Sequence, residues 1–339
     1  MSATAAPGEL PASAGVPTAG PIDRSDLRRR LLTVVVLAIG AAAAVAAVPD
    51  LRPVVNEIEH INPVLVAAAI ALEVASCLSF VVVFRLFFSP ISAPVARGMA
   101  WSQMGSGALL PGGGVGSLAV GGWLLHRAGM STRQILQRSS ALFFLTSAIN
   151  VAVLAISGLV LLLGIGAGPH DVLRTGLPVA VAVAAVIVVL GLPRVMHRVS
   201  GRFPAPAWLE DIGSGIPAAR RVLWRPHWRL LGASGYLLFD IAVLWTTLAA
   251  VGPAPPVAVL VVAYLAGYLP NVLPIPGGIG ILDAGLVGAL GLYGLPLSHA
   301  AAAVLVYHAI AFWIPTLGGM LAYGRLRPRL ASGPKLGDG

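Results

Sequence analysis

Charged residues are scarce in this chain, and their scarcity excludes a soluble protein. Of the 339 residues, 10% are Asp, Glu, Lys or Arg and 57% are hydrophobic, and the mean hydropathy is +0.88. A soluble domain carries about 25% charged residues, because its surface must be solvated by water. Lipid is the solvent that suits this composition, so we expect an all-α polytopic membrane protein.

Cysteine and the glycine-rich loops of nucleotide sites are also missing or incomplete. The single cysteine, Cys77, can form neither an internal disulfide nor a thiolate cluster, and its apolar surroundings predict a small packed side chain. His308 is the one histidine well inside an apolar run, so no metal site is predicted. The glycine-rich stretch 105–116 lacks a following Gly-Lys-Ser/Thr, and no cofactor is expected.

Six apolar runs are long enough to cross a hydrocarbon core of ~30 Å at about 1.5 Å of rise per residue. They cover residues 31–48, 62–84, 139–166, 172–192, 230–251 and 301–323. The first run could instead be a signal peptide, since Ala44-Val45-Ala46 offers small residues near its end, but its long lead favours an uncleaved helix.

Two further apolar stretches, 95–127 and 257–297, are broken by proline and glycine. The breaks fall at Pro111, Gly112, Gly113, Pro276, Gly277 and Gly278. Proline removes a backbone donor, and glycine opens conformations that a helix forbids. We therefore predict two re-entrant hairpins, each made of two short helices. Such breaks are tolerated at membrane depth only where protein or a water-filled cavity covers them.

The basic residues predict which side of the membrane each loop occupies. With six crossings and a cytoplasmic N terminus, 20 of the 22 Lys and Arg residues lie inside, and only Arg52 and Arg174 lie outside. This places a disordered tail, 1–30, a linker, 193–228, and a C-terminal tail, 326–339, in the cytoplasm, around a transmembrane domain spanning 31–325. It also explains the net charge of +9 without nucleic acid. Hairpins that span fully would give the same charge distribution, so that alternative stays open.

The two breaks predict an internal repeat. Aligning Pro111 with Pro276 gives an offset of 165 residues, which brings the flanking spans into approximate register. The repeat units are then about 62–166 and 229–323, each a helix, a broken hairpin and a helix. Three crossings separate the starts of the units, so the second enters from the opposite face. Inverted repeats with broken helices are the architecture of many transporters.

Three acidic residues lie away from the tails and loops: Glu73, Asp240 and Asp283. A charge at the bilayer centre costs at least ~2.5 kcal/mol on insertion scales, so each should face a cavity or a partner. Glu73 and Asp240 lie near the middle of the first spans of the two units. We interpret them as part of a substrate or proton path; the alternative is that they stabilise helix packing as protonated or hydrogen-bonded groups.

Three more polar side chains fall in apolar segments and are candidates for the same path: His308, Gln103 and Asn271. Histidine titrates nearest neutrality. Buried amides also form packing hydrogen bonds between membrane helices, which is the alternative for Gln103 and Asn271.

Two features favour an anionic or phosphate-bearing lipid as the partner. Exposed N–H groups at the starts of short helices suit a lipid phosphate. The loop 193–229 combines three tryptophans with seven arginines, which indicates either an interfacial segment on the anionic cytoplasmic leaflet or a solvated basic loop.

The sequence resembles the lysylphosphatidylglycerol synthase transmembrane-region family. The resemblance rests on Leu273-Pro274-Ile275-Pro276-Gly277-Gly278, followed by Asp283, Tyr307-His308 and Phe312-Trp313-Ile314-Pro315, and on the earlier Leu109-Leu110-Pro111-Gly112-Gly113. It covers roughly residues 30–328. It implies a flippase-like domain that moves phospholipids or polyprenyl-linked lipids between leaflets.

This chain departs from the family pattern at three places. Asp283 stands where the family usually has Glu, and His308 where it often has Arg. The resemblance implies an acidic–basic pair at these two positions. Only about 15 residues follow Tyr323, where some members carry a soluble aminoacyl-transferase domain, so lipid aminoacylation by this sequence is not expected.

The reading that these observations favour is a lipid flippase of the cytoplasmic membrane, without enzymatic activity. The alternative is a non-transporting membrane subunit that recruits or regulates a separate lipid-modifying enzyme. The sequence does not indicate an oligomeric state.

The charge distribution predicts that both termini are cytoplasmic. Cysteine reporters at Glu57 and Gly168 should react with a membrane-impermeant reagent in intact cells, because both positions are predicted outside. A reporter at Gly201 should not react, and its labelling from outside would overturn the topology.

Overall fold

The computed structural model describes residues 52–110, 114–165, 171–200, 213, 215–224, 227–268 and 281–331, all in one unit of the chain, 44–339. Within these residues every regular element is a helix. Several predicted features fall outside the described residues: the tail 1–30, the span 31–48, the breaks at 111–113 and 276–278, and Asn271.

The described elements follow one another as helices joined by short connections. They are α1 (Arg52–Glu59), α2 (Pro63–Phe87), α3 (Ala93–Leu109), α4 (Gly114–Arg127), α5 (Thr132–Leu162), α6 (Val172–Ser200), α7 (Gly215–Leu223), α8 (Leu231–Val251), α9 (Val257–Gly267), α10 (Ile281–Leu292) and α11 (Leu297–Ala331). A 3₁₀ turn, Trp228–Leu230, leads into α8.

Four helical segments of the described chain are long and apolar enough to cross a membrane. They are Pro63–Phe87, Thr132–Leu162, Trp228–Val251 and Leu297–Leu330. Each coincides with one of the predicted spans. The predicted span 172–192 lies within α6, whose apolar part, Leu173–Val188, is shorter. The chain is thus a helical membrane protein.

The helix ends differ from the predicted spans where polar residues extend a helix. α5 begins at Thr132 because Ser131 and Gln134 form a reciprocal capping box, each side chain accepting from the other's backbone N–H. α11 continues to Ala331, past the predicted end at 323. The arginines in its last turns favour a helix C-terminus, where the backbone dipole is negative. Hydropathy alone does not detect such polar turns.

The two predicted broken stretches are each a pair of short helices. α3 and α4 have 17 and 14 residues, and α9 and α10 have 11 and 12. Each is shorter than the ~20 residues that a full crossing needs. The partners of each pair lie against each other, with Gly121 beside the Gln103 side chain and Gly267 beside the backbone of Leu286.

The most extensive helix pair in the fold is α2 with α8, the first helices of the two units. The N–H of Asn62 donates to the carbonyl of Ala250 at 3.0 Å, and the hydroxyl of Ser76 donates to the carbonyl of Tyr236 at 2.9 Å. Moving forward along α2 therefore means moving backward along α8, so the two helices are antiparallel. The same register places Glu73 opposite Phe239, one position from Asp240.

The remaining helices are paired reciprocally between the units. α3, from the first broken stretch, packs on α11, which closes the second unit. α9, from the second broken stretch, packs on α5, which closes the first. Such an exchange is what a two-fold relation between the units predicts, and the antiparallel α2–α8 pair would place its axis across the helices.

Apolar side chains on the outside of the bundle match a lipid surroundings. Large hydrophobic residues are exposed along α5 and α6, including Ile156, Leu159, Leu173 and Ile187. Inside, aromatic residues at one end of α2 stack, with the Phe84 and Phe88 ring centroids 4.4 Å apart. In water the exposed residues would favour aggregation, whereas in a bilayer they contact acyl chains.

Close approach of α2 and α8 depends on Gly232, and its substitution tests the pairing. A Cβ at Gly232 would lie 2.6 Å from the Ser79 carbonyl oxygen and 2.8 Å from the Val83 nitrogen, both backbone atoms that cannot rotate away. Gly232→Ala should therefore lower the free energy of unfolding by about 1–3 kcal/mol.

The matched control is Gly324→Ala on α11, where no atom lies within 4 Å of the added Cβ. This change should leave stability unaltered or raise it by about 0.5–1 kcal/mol, because alanine favours a helix over glycine. Thermal unfolding in detergent followed by circular dichroism measures both. Equal midpoints for Gly232→Ala and wild type would contradict the close α2–α8 packing.

Candidate functional site

Asp240 of α8 is held by tyrosines from two other helices. Its carboxylate accepts a hydrogen bond from the Tyr307 hydroxyl of α11 at 3.0 Å and another from the Tyr264 hydroxyl of α9. The Tyr268 hydroxyl lies 2.5 Å from that of Tyr307, and the Tyr264 and Tyr268 rings lie with centroids 4.5 Å apart. We call Tyr264, Tyr268 and Tyr307 the tyrosine cluster.

This arrangement explains how a carboxyl group is accommodated among apolar helices. Tyr264 and Tyr307 are 4% and 1% exposed, so their hydroxyls need partners inside the protein. Hydrogen bonds that involve an ionised group are about twice as strong as neutral ones. The second unit thus supplies both the acid and the donors that solvate it.

Glu73 of α2 is the second acid of the site, and it is less well accommodated. Its side chain is 5% exposed. The Cys77 thiol approaches Oε1 at 3.5 Å, while the buried Oε2 has no hydrogen-bond partner in the described part of the chain. Glu73 lies within electrostatic range of Asp240 on the facing helix. The structure therefore brings together the two mid-span acids that the sequence singled out.

Asp283 and His308 form a second polar pair, between α10 and α11. The Asp283 Oδ1 and His308 Nδ1 atoms are 2.9 Å apart, and the side chains are 26% and 13% exposed. The imidazole stacks on Phe312, with centroids 6.2 Å apart and ring planes 16° from parallel. His308 follows Tyr307, so α11 presents this pair and the tyrosine cluster on neighbouring faces.

Gln103 lies in the first broken stretch and contributes to the α3–α4 contact. Its side chain is 8% exposed and lies against Gly121, while its carbonyl accepts from the Ser106 and Ser117 hydroxyls at 2.8 and 3.0 Å. These contacts are those of a packing residue. The structure does not describe Asn271 or the residues of either break.

The tyrosines were missed by sequence reasoning, which looked for ionisable groups. Tyr264 and Tyr268 are four residues apart, so they share one face of α9. Their hydroxyls in an apolar helix were the signal, since a buried tyrosine hydroxyl needs a partner. An acid in a facing helix was the obvious candidate for that partner.

The cluster as a whole is suited to hydrogen bonding and proton exchange. Two carboxyls and three hydroxyls can accept and donate hydrogen bonds, and two neighbouring acids hold a proton more readily than one. No group of three or more His, Cys, Asp or Glu side chains in the described residues is placed to hold a metal ion.

Comparison with known proteins gives two similarities. A family model described as the lysylphosphatidylglycerol synthase TM region matches residues 32–319, which is most of the chain. A UPF0104 membrane protein of Methanothermobacter thermautotrophicus is 34% identical over 95 residues. That match covers 27% of this chain and 27% of the relative, so the chain spans about a quarter of the length of the relative it matches.

The Asp283–His308 contact can be tested by a double-mutant cycle. Both single changes, His308→Ala and Asp283→Asn, should destabilise the protein, because each removes one side of a charge-assisted hydrogen bond. The double variant should be more stable than the sum of the two losses predicts, with a coupling energy of about 1 kcal/mol. Thermal unfolding of the four proteins in detergent measures it, and additive losses would show that the pair is not coupled.

Proposed function

We propose that this chain, which belongs to the lysylphosphatidylglycerol synthase transmembrane-region family, moves a phospholipid or a polyprenyl-linked lipid between the leaflets of the cytoplasmic membrane. The protein binds and moves the lipid without altering it chemically. Its substrate carries a phosphate or another anionic group, as the excess of arginine on one side of the predicted topology favours.

The observation that carries this proposal is the pair of buried acids, Glu73 and Asp240, on antiparallel helices. An ionisable group inside a membrane protein is costly and marks a substrate or ion pathway by default. Glu73 leaves one carboxylate oxygen buried without a hydrogen-bond partner in the described residues. A group that served packing alone would be better replaced by an apolar side chain.

The proposed architecture has six full crossings, two re-entrant hairpins and an inverted repeat, with both termini in the cytoplasm. It is supported by the short helix pairs α3–α4 and α9–α10, the antiparallel α2–α8 pair and the reciprocal packing of the other helices. In such folds the substrate lies near the bilayer midplane, where the repeats meet. The Glu73–Asp240 level is that meeting place, because α2 and α8 cross there in register.

Movement of the lipid then follows from rocking of one unit against the other. The tyrosine cluster joins α8, α9 and α11, which moves these three helices as a body. The Asp283–His308 contact acts as a latch between α10 and α11 that opens during transport. Polar groups along the path replace the water that a lipid headgroup gives up on entering the membrane.

Lipid movement by the purified protein tests the proposal. The full chain is reconstituted in vesicles containing fluorescent phosphatidylglycerol, and a membrane-impermeant reductant reports the label in the outer leaflet. Wild type should make the inner label accessible. Glu73→Gln and Asp240→Asn should slow this by about tenfold, which corresponds to ~1.4 kcal/mol on the barrier.

Glu59→Gln is the matched control, since Glu59 is exposed at the end of α1 and the same charge is lost. It should move lipid at the wild-type rate. If folded Glu73→Gln does so too, that acid is structural. If wild type moves no lipid in vesicles of any composition but co-purifies with a lipid-modifying enzyme, the chain is a subunit of that enzyme instead.

A further inference from the structure

A basic cavity of about 280 Å³ lies between α3 and α11, away from the acidic site. Its lining includes Arg97 and Trp101 from α3 and Arg325 and Arg329 from α11. The cavity is at the N-terminal end of α3 and the C-terminal end of α11. These are the ends that the charge distribution assigns to the cytoplasmic face.

The packing of the two helices builds this cavity. Gly98 of α3 lies against Leu326, with a Cβ at Gly98 only 3.4 Å from the leucine side chain. Further along, Gly105 meets Gly319, where a Cβ on either residue would approach the other's backbone within 3.0 Å. The helices therefore touch at small residues and cannot close over the larger side chains at their ends.

Helical spacing directs the basic residues into the cavity. Arg325 and Arg329 are four residues apart and share one face of α11. Arg97 is likewise one turn from Trp101 on α3, and its Nε donates to the Ala93 carbonyl at 3.2 Å. That bond uses one of five N–H donors on the guanidinium, so most of its donors are left for a ligand.

The charges around the cavity are all of one sign. Three of its eight lining residues are arginines, and none of the eight is acidic. Like charges around a partly enclosed space repel one another, and an anion between them offsets the repulsion. Arginine suits phosphate in particular, because its planar fork of donors can bind two oxygens at once.

We infer that this cavity binds a phosphate group, carried by an anionic lipid headgroup or free in solution. Its volume of about 280 Å³ is near the low end of ligand pockets, which suits a headgroup rather than a whole lipid. Trp101 adds an amphipathic ring of the kind that lies at headgroup level in membrane proteins. The inference goes beyond lipid movement, since it concerns binding at a site that shares no residue with the acidic path.

Thermal stabilisation of the full chain in neutral detergent tests the inference. The probes are dioctanoyl phosphatidylglycerol, dioctanoyl phosphatidylcholine and inorganic phosphate, each titrated separately. A ligand that binds the folded state raises the unfolding midpoint in proportion to its occupancy, so each titration gives an apparent dissociation constant. Phosphatidylglycerol should stabilise the wild type, and rising salt should weaken the effect.

Charge-removing variants locate the binding. Arg97→Gln and Arg325→Gln should each weaken the apparent affinity for phosphatidylglycerol about tenfold, because each loses charge-assisted hydrogen bonds. Arg325→Lys, which keeps the charge but not the fork, should lie between Arg325→Gln and wild type. Arg327→Gln is the matched control, since this exposed residue of α11 does not line the cavity. It should bind as wild type does.

The outcomes separate the possible ligands. Binding of phosphatidylglycerol but not inorganic phosphate supports a lipid headgroup, and equal sensitivity of both to Arg325→Gln supports free phosphate at the same site. Equal loss in Arg325→Gln and Arg327→Gln, or phosphatidylcholine binding as tightly as phosphatidylglycerol, would overturn the inference. No flux is measured, so the result stands whether or not the protein moves lipid.

Discussion

The antiparallel packing of α2 on α8 is the constraint on which the rest of the structure depends. The two helices approach closely because Gly232 has no side chain to hold them apart. Their register brings Glu73 to the level of Asp240, which decides that the two acids share one interior rather than two. The tyrosine cluster can then reach Asp240 from α9 and α11, since both helices pack around α8.

Much of the fold could be predicted from the sequence, because lipid leaves few options to a long apolar run. Four of the predicted spans coincide with long apolar helices, and the two broken stretches are pairs of short helices. The ends of α5 and α11 could not be placed by hydropathy, since they are set by capping and by arginines that a helix end favours. The family was identified from motifs around the breaks.

The site was predicted only in part, for a reason that lies in the repeat. Ionisable residues could be found one by one, and Asp283 does meet His308. The hydrogen-bond partners of Asp240 could not be found by comparing the units, because the chemistry is not duplicated. At the offset that aligns the breaks, Tyr307 corresponds to Leu142 and Tyr268 to Gln103. The scaffold repeats, whereas the polar groups are concentrated in the second unit.

The reciprocal packing of the helices has a consequence for biosynthesis. Each large helix of the first unit finds its main partner in the second: α2 meets α8, α3 meets α11, and α5 meets α9. During translation the first unit therefore enters the bilayer before any of these partners exists. Glu73 must wait for α8 before the interior that encloses it is complete, and the bundle closes only when α11, the last described helix, leaves the translocon.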